Sequence, residues 1–234
     1  MDWLIAVAKI LFSKRQSRRY YSQFGEDAVL AELFGRRKTK GTYVDVGCYH
    51  PRKHSNTYML YKRGWSGLLV DIEKSKIIAC RMLRPRDTSV LAAVSDKPGI
   101  ADYYAPKKYS VLTSLHQRRT DFKCLGKIQC ITLTELLDIH LTNRKIDLLS
   151  IDVEGHDFNA LQSLDFSKYH PEVIVIESWE ATDIKKIIEG DINRFLEKHE
   201  YGLRGWAGLS LVYRIRNEDA VKIEGSHDIK KQKA

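Results

Sequence analysis

The fold of this chain is decided by residues 41–70, which read GTYVDVGCYHPRKHSNTYMLYKRGWSGLLV. An apolar run through Asp45 breaks at Gly47, a polar loop follows, and a second apolar run ends on Asp71. This order predicts a strand, a loop, a helix and a second strand. Ligands of an open parallel sheet bind beyond the carboxyl ends of its strands, so we expect Gly47 and Asp71 to face one crevice, where an acid suits ribose hydroxyls. The alternative is that both aspartates are solvated strand ends and Gly47 is only a turn.

The loop after Gly47 disfavours one class of cofactor. A dinucleotide fingerprint needs the spacing G-x-G-x-x-G, in which the second glycine lets the backbone approach a pyrophosphate. This chain has Tyr49 at that position, followed by His50-Pro51. A nucleoside ligand without phosphates, such as S-adenosylmethionine, demands less of the turn, so the sequence favours a methyltransferase over a nicotinamide enzyme.

The composition indicates a single globular domain with a basic surface. A chain of 234 residues with 43% hydrophobic content can bury a substantial core. The net charge of +9 makes anionic surfaces, such as lipid head groups, nucleic acid and acidic glycans, candidate neighbours. The four cysteines contain no C-x-x-C pair, which predicts reduced thiols in a cytosolic protein without a structural zinc site.

The N-terminus combines an apolar run at residues 3–12 with a basic flank. The run is too short to span a bilayer, and the charges follow it, whereas a secretory signal has them before it. A helix over residues 1–19 therefore either packs on the domain or lies in the membrane interface with its basic residues toward anionic lipid. In the second case a cytoplasmic protein is held at the inner face of the membrane.

A helix over residues 28–34 precedes the first strand, where a lid over the crevice can arise. Gln23 and Glu26 would then contact the ligand, although capping and the helix dipole explain a polar helix start equally well. Further along, residues 74–84 predict a helix and residues 89–94 a strand. Residues 105–127 lack a regular pattern, and we interpret this long segment as a candidate substrate-side loop.

The second strong signal is the apolar run at residues 146–151. It predicts a buried strand that delivers Asp152, Glu154 and His156 to its carboxyl end. Asp152 and Glu154 are two residues apart, so both can point into the crevice. Two carboxylates and an imidazole are therefore expected at one place.

The end of the chain predicts a strand at residues 173–177, a helix at 183–199 and two short strands at 201–206 and 209–215. The last two are too close for a crossover helix, so they form an antiparallel hairpin.

A mostly parallel sheet finished by such a hairpin is the layout of the class I methyltransferase fold, an α/β, Rossmann-like architecture. We expect this domain over residues 20–216, preceded by the helical extension at 1–19 and followed by a polar tail at 217–234.

Five stretches resemble the FkbM-type family of S-adenosylmethionine-dependent methyltransferases, and they occur in the family's order. They are YSQFGEDAVL at 21–30, VDVGCYHPRKHSNT at 44–57, RGWSGLLVDIE at 63–73, AAVSDKPG at 92–99 and KIDLLSIDVEGHDFNAL at 145–161. The resemblance covers about residues 20–215. Many members have a second glycine in the first loop, whereas residues 48–51 match only the subset with a His-Pro pair.

The resemblance implies roles for the residues of the crevice. The loop at Asp45 and Gly47 would hold the methionine part of S-adenosylmethionine, Asp71 the ribose, and the segment after Ala92-Ala93 would abut the adenine. The full set of implied cofactor contacts is Gln23, Glu26, Asp45, Gly47, Asn56, Asp71, Ala93 and Asp152.

The acceptor that the resemblance mainly implies is a hydroxyl of a sugar, glycan or glycolipid, and natural-product hydroxyls and amides stay open as alternatives. Such a hydroxyl needs a general base or a metal. His156 is the first candidate for the base, with Asp152 and Glu154 as alternatives or as ligands of Mg²⁺ or Mn²⁺.

Two rival functions stay open at this point. A nucleic-acid methyltransferase suits the positive net charge. However, the chain has DVEG where base-methylating enzymes usually have Asn/Asp-Pro-Pro-aromatic, and it lacks aromatic stacking motifs. A nucleic-acid substrate is therefore disfavoured. The other rival is a non-catalytic, membrane-associated module that binds S-adenosylmethionine.

Overall fold

The computed structural model describes residues 5, 19–35, 38–108, 110, 112–117, 119–142 and 144–216. The predicted helix at 1–19, apart from Ile5 and Arg19, and the predicted tail at 217–234 lie outside these residues. None of the helices in the described ranges is long and apolar enough to cross a membrane.

Helices and strands alternate through most of the described chain. The helices are α1 (Glu26–Leu33), α2 (Tyr58–Lys62), α3 (Lys74–Leu83), α4 (Leu133–His140), α5 (Asp157–Gln162), α6 (Ile184–Glu189) and α7 (Asp191–Lys198). The strands are β1 (Thr42–Val46), β2 (Ser66–Asp71), β3 (Thr88–Leu91), β4 (Ala93–Val94), β5 (Gly99–Ala105), β6 (Lys123–Ile131), β7 (Leu148–Ile151), β8 (Val173–Glu177), β9 (Tyr201–Ala207) and β10 (Ser210–Ile215).

Seven strands form the main sheet in the order β3-β2-β1-β7-β8-β10-β9. The first five run parallel, and β10 is antiparallel to both β8 and β9. Val46 pairs with Val70 on one side and with Ile151 on the other, so β1, β2 and β7 end at the same level. The predicted α/β class I methyltransferase fold with a C-terminal antiparallel hairpin is thereby confirmed.

The main sheet is covered on both faces. Val44 and Val46 of β1 belong to the apolar cluster that α4, α5 and α7 share. Tyr43 points to the opposite face and belongs to the cluster that includes residues of α1, α2 and α3. Burial of each aliphatic side chain stabilises the fold by about 1.5–3 kcal/mol, so the alternation along β1 fixes which helices lie on which face.

A second, three-stranded sheet in the order β4-β6-β5 differs from the prediction. The strand predicted at residues 89–94 is divided at Ala92, and its two parts join different sheets. The irregular segment predicted at residues 105–127 instead enters β6 at Lys123. Most of β6 is exposed or half-buried, so its sequence shows weak apolar alternation.

The helix predicted at residues 183–199 is also divided. Gly190 has an extended backbone, with φ −74° and ψ 155°, and it separates α6 from α7. The apolar periodicity continues across the break, and this explains why the sequence alone predicts one helix.

Candidate active site

A cavity opens beyond the carboxyl ends of β1, β2 and β7, where the prediction places the ligand crevice. Six predicted site residues line it together, namely Gly47, Asp71, Ala93, Asp152, Glu154 and His156. Apolar walls come from Val46, Val70, Ala92, Val94 and Leu115. The cavity volume is about 40 Å³, which is narrow for a nucleoside.

Gly47 brings the ends of β1, β2 and β7 into contact. Its φ of +83° is in the left-handed region, and a Cβ at this position would lie 1.7 Å from the backbone oxygen of Asp152. The amides of Gly47 and Cys48 both donate to the carbonyl of Val70, at 2.8 and 3.0 Å. Glycine is therefore required here both by the backbone conformation and by the close approach of the neighbouring strand.

Asp71 ends β2 with a buried and firmly held carboxylate. Its oxygens accept hydrogen bonds from the amides of Tyr49 and Glu73, at 3.0 and 2.9 Å. Lys76 Nζ lies 3.7 Å from Asp71 Oδ1. Burial raises the pKa of Asp71, and the positive charge of Lys76 opposes that shift. The carboxylate is thus pre-positioned at the cavity wall before any ligand binds.

Asp152 and Glu154 both line the cavity, in agreement with the sequence, but their carboxylates do not form an isolated pair. Among the described residues, Asp152 instead groups with Asp157 and Glu177, whose ligand atoms all lie within 4.8 Å of one another. Burial, followed by the charge of Glu177, raises the pKa of Asp152 well above its ordinary range. Burial likewise raises the pKa of Asp157 to about 7.

This acidic group does not reproduce the predicted metal pair of Asp152 and Glu154. The Asp157 carboxylate accepts hydrogen bonds from the amides of Val153 and Gly155, both at 2.8 Å, and so has a structural role in the loop. Acidic groups of this kind are common without an ion, so no metal is assigned. Asp157 directly follows His156 and Glu177 ends an apolar run, but nothing in the sequence indicates that they approach Asp152.

His156 is 7% exposed and forms hydrogen bonds through both ring nitrogens. Nε2 lies 2.9 Å from the hydroxyl of Ser95, and Nδ1 lies 2.9 Å from Nε2 of His116. Ser95 in turn donates to Asp96 Oδ1 at 3.1 Å. If the Ser95 proton points to Asp96, Ser95 accepts from Nε2–H of His156, and Nδ1 of His156 is then the acceptor for His116.

Burial lowers the pKa of His156, and the neighbouring His116 lowers it further, whereas Asp96 opposes the shift. The imidazole is therefore neutral at pH 7, as a proton acceptor must be. Sequence reasoning singled out neither Ser95 nor His116. Ser95 lies in the AAVSDKPG stretch, and His116 lies in the segment predicted to be a substrate-side loop. The sequence therefore indicated the two segments but not these two residues.

Four predicted cofactor residues lie away from the cavity lining. Gln23 is exposed, and Glu26 accepts from the amide of Phe24 and from the hydroxyl of Ser210, both at 2.8 Å. Asn56 Nδ2 donates to Ser150 Oγ at 3.1 Å.

Asp45 is buried and accepts a hydrogen bond from the hydroxyl of Thr57. Arg84 donates to the same hydroxyl at 3.0 Å and forms a 2.7 Å ion pair with Asp87. These contacts anchor the loop after β1 from behind the cavity.

The donor set of the cavity fits S-adenosylmethionine. Asp71 offers a carboxylate to ribose hydroxyls, the apolar walls offer surfaces to a flat adenine, and Asp152 and Glu154 add two acidic side chains to the polar part of the lining. The volume requires movement, however. Lys76 and Tyr49 are long side chains that line the cavity, with Lys76 Nζ 5.2 Å above the tyrosine ring, and a change in their rotamers would alter its volume.

The chain is similar to known proteins in both sequence and structure. The model of the methyltransferase FkbM domain matches residues 45–203. No curated protein matches the chain. A TehB-like SAM-dependent methyltransferase from Corynebacterium glutamicum is similar at 11% identity with a TM-score of 0.41, covering 92% of this chain and 96% of that chain. A "putative rRNA-methylase" from Clostridium thermocellum is similar at 10% identity with a TM-score of 0.47, covering 86% and 99%.

The FkbM domain match spans more than half of the 234 residues. It includes β2, β3, β7 and β8 of the main sheet in full and parts of β1 and β9, whereas β10 lies outside it. It also includes the whole of the segment that carries Asp152, Glu154 and His156. The chain therefore belongs to the FkbM family and is an S-adenosylmethionine-dependent methyltransferase.

Proposed function

We propose that this enzyme transfers the methyl group to a hydroxyl of a sugar, glycan or glycolipid. The observation that carries the proposal is the buried His156, whose pKa is lowered by burial, on the wall of the cavity that Asp152 also lines. A sugar hydroxyl is a poor nucleophile at neutral pH, and a base of this kind is what its activation requires. A general base is less needed for an acceptor that is already an anion.

Each residue of the site would have a separate role. Asp71 would hold the ribose and the loop at Gly47 the methionine part, so that an acceptor oxygen could approach in line. Bound S-adenosylmethionine would supply an electrophilic methyl group, whose bond to sulfur would be exchanged for a bond to the acceptor oxygen.

The hydroxyl proton goes to Nδ1 of His156 in this proposal. Nε2–H is engaged with Ser95, so Nδ1 is the nitrogen with a lone pair for the acceptor. His116, which contacts Nδ1, is exposed and can give way to the acceptor hydroxyl. The Ser95 contact keeps the ring in the orientation that presents Nδ1.

Site variants with labelled S-adenosylmethionine and glycan extracts test this assignment. We expect His156→Gln to reduce kcat by about 10²–10⁴-fold while the Kd for S-adenosylmethionine stays within about twofold. His116→Ala is the matched control, because it removes the group that must move aside and should leave kcat within about threefold. Equal losses in the two variants would refute a direct proton transfer to Nδ1. Labelled amide or nucleic-acid products in place of methyl ethers would refute the acceptor class.

We also propose that residues 3–19 hold the enzyme at the cytoplasmic face of the membrane, where lipid-linked glycans are built. The support is the sequence of this segment, an apolar run followed by Lys14, Arg15, Arg18 and Arg19. Each basic residue near an anionic leaflet contributes about 1 kcal/mol, which suits reversible attachment. Packing of the same helix on the domain is the alternative that vesicle binding distinguishes.

A further inference from the structure

A second cavity lies beside the first, at the carboxyl end of β8. Its volume is about 260 Å³, against about 40 Å³ for the first cavity. It is lined by the start of α5, the residues after β8, and the junction of α6 and α7 at Gly190. Pockets for drug-sized ligands run from roughly 300 to 1,000 Å³, so this space suits a single ring or a small group of rings.

The two cavities share one wall, the segment of residues 152–158. Asp152, Val153, Glu154 and His156 line the first cavity, whereas Gly155, Asp157 and Phe158 line the second. The carboxylate of Asp152 also lies within 4.8 Å of the carboxylates of Asp157 and Glu177, which line the second cavity. Asp152 is therefore the residue of the first cavity whose carboxylate approaches the lining of the second.

The second cavity has an aromatic surface held in a fixed orientation. Trp179 lines it and is 45% exposed. Its indole Nε1–H donates to Glu177 Oε2 at 2.8 Å, which sets the plane of the ring. A tryptophan presents a flat apolar face with a polar edge, and such a face matches the C–H side of a sugar ring.

The charged residues around this cavity favour hydroxyl donors and exclude anions. Four carboxylates, those of Asp157, Glu177, Glu180 and Asp191, line it, against the single ammonium of Lys186. Carboxylates accept hydrogen bonds from hydroxyls but repel a uronate or phosphate in the same place. The local excess of acid is notable because the whole chain has a net charge of +9.

We propose that the second cavity binds the sugar ring that receives the methyl group, as a neutral ring stacked on Trp179 with its reactive hydroxyl directed past Asp152. This inference rests on the proposed function and adds to it the location of the acceptor and its charge. A ring that carries a carboxylate or phosphate is excluded from this position, although the rest of a glycan or a lipid carrier can extend into solvent.

Saturation-transfer NMR with methyl glucoside, methyl rhamnoside and glucuronic acid as probes tests the assignment directly. We expect at least one neutral glycoside to bind the parent protein and glucuronic acid to bind at least about tenfold more weakly. Trp179→Ala should weaken the neutral glycoside by about tenfold and Trp179→Phe by less, because phenylalanine retains the stacking surface. Trp206→Ala is the matched control, since Trp206 is 42% exposed, its Nε1 donates to the Gly208 carbonyl, and it does not line the cavity.

Binding of no neutral glycoside, equal binding of glucuronic acid, or an equal effect of Trp179→Ala and Trp206→Ala would each overturn the assignment. Methyl transfer to glycan extracts separates it from the proposed function. If the parent protein methylates a sugar hydroxyl and Trp179→Ala does so with unchanged KM, the acceptor lies elsewhere and the proposed function stands. If the parent protein methylates no sugar hydroxyl, the proposed function fails, whatever the NMR result.

Discussion

Replacing Asp71 with alanine removes two roles that can be measured separately. The carboxylate accepts from the amides of Tyr49 and Glu73, and the bond to Glu73 is buried whereas the bond to Tyr49 is part-buried. Leaving a buried amide without an acceptor costs about 1–3 kcal/mol, so losing the Glu73 bond should lower the free energy of unfolding by about that amount, and losing the Tyr49 bond should add a smaller loss. A hydrogen bond from ribose to the charged carboxylate contributes about 1.5–3 kcal/mol, so the Kd for S-adenosylmethionine should rise by about 10- to 150-fold.

Asp147→Ala is a matched control at the opposite edge of the sheet. Asp147 precedes β7, is 6% exposed against 5% for Asp71, and accepts from the amide of Thr42 and from Lys38 Nζ, both at 2.8 Å. The Asp147→Ala variant should have a lower free energy of unfolding but an unchanged Kd for S-adenosylmethionine. Calorimetry gives the Kd, at a temperature where urea unfolding shows that each variant is folded. An unchanged Kd for Asp71→Ala, or an equal loss in Asp147→Ala, would refute the placement of the ribose.

Four further outcomes are expected. Gly47→Ala should lower the free energy of unfolding by about 3–5 kcal/mol in urea titrations. Gly25 has a similar φ of +90° but nothing within 4 Å of its Cβ position, so Gly25→Ala should lower it by only about 1–2 kcal/mol. Similar losses in the two variants would mean that the contact with Asp152 is relieved at little cost in free energy. Turnover should rise with pH through a pKa below the 6.5 of ordinary histidine and then stay level, because burial lowers the pKa of His156 and only the neutral ring accepts a proton; a profile unchanged in His156→Gln would contradict this. Chelator should leave turnover unaltered, and activity restored only by Mg²⁺ or Mn²⁺ would reinstate a metal at Asp152. Sedimentation of the protein with anionic vesicles should fall when Lys14, Arg15, Arg18 and Arg19 are changed to Gln, and it should fall further in high salt. Equal sedimentation of the parent protein with neutral and anionic vesicles would show that residues 3–19 pack on the domain.

The parts of the structure that the sequence predicts well are those with strong local signals. The buried runs that form β1, β2 and β7 are apolar through most of their length. β2 ends on Asp71, and β1 and β7 are followed by Gly47 and Asp152, so both the strands and the edge that carries the candidate site could be inferred. β6 has one face packed on a small cluster and the other in solvent, and its mixed sequence therefore carries little periodicity. The division at Gly190 is hidden because apolar spacing continues across it.

The residues of the candidate site divide in the same way, into those that adjoin a predicted strand and those that come from distant loops. Asp71 is the last residue of β2, and Gly47 and Asp152 directly follow β1 and β7, so the topology of the sheet alone brings them to one cavity. Ser95 and His116 reach His156 from loops 61 and 40 residues away in the chain, and no spacing within a single sequence encodes that approach. The second cavity combines Trp179, which follows β8, with residues of α6 and α7 on either side of Gly190, and the sequence alone does not indicate that these meet.

The shared wall between the two cavities has a thermodynamic consequence. Glu154 and Gly155, in the middle of that wall, both have left-handed backbones, with φ of 57° and 89°, so this turn has few alternative conformations that keep both cavities intact. A ligand that shifts the turn from one side changes the space offered on the other. By linkage, the factor by which an acceptor alters the affinity for the cofactor must equal the factor by which the cofactor alters the affinity for that acceptor. The size of that shared factor is then set by how far this one turn can shift.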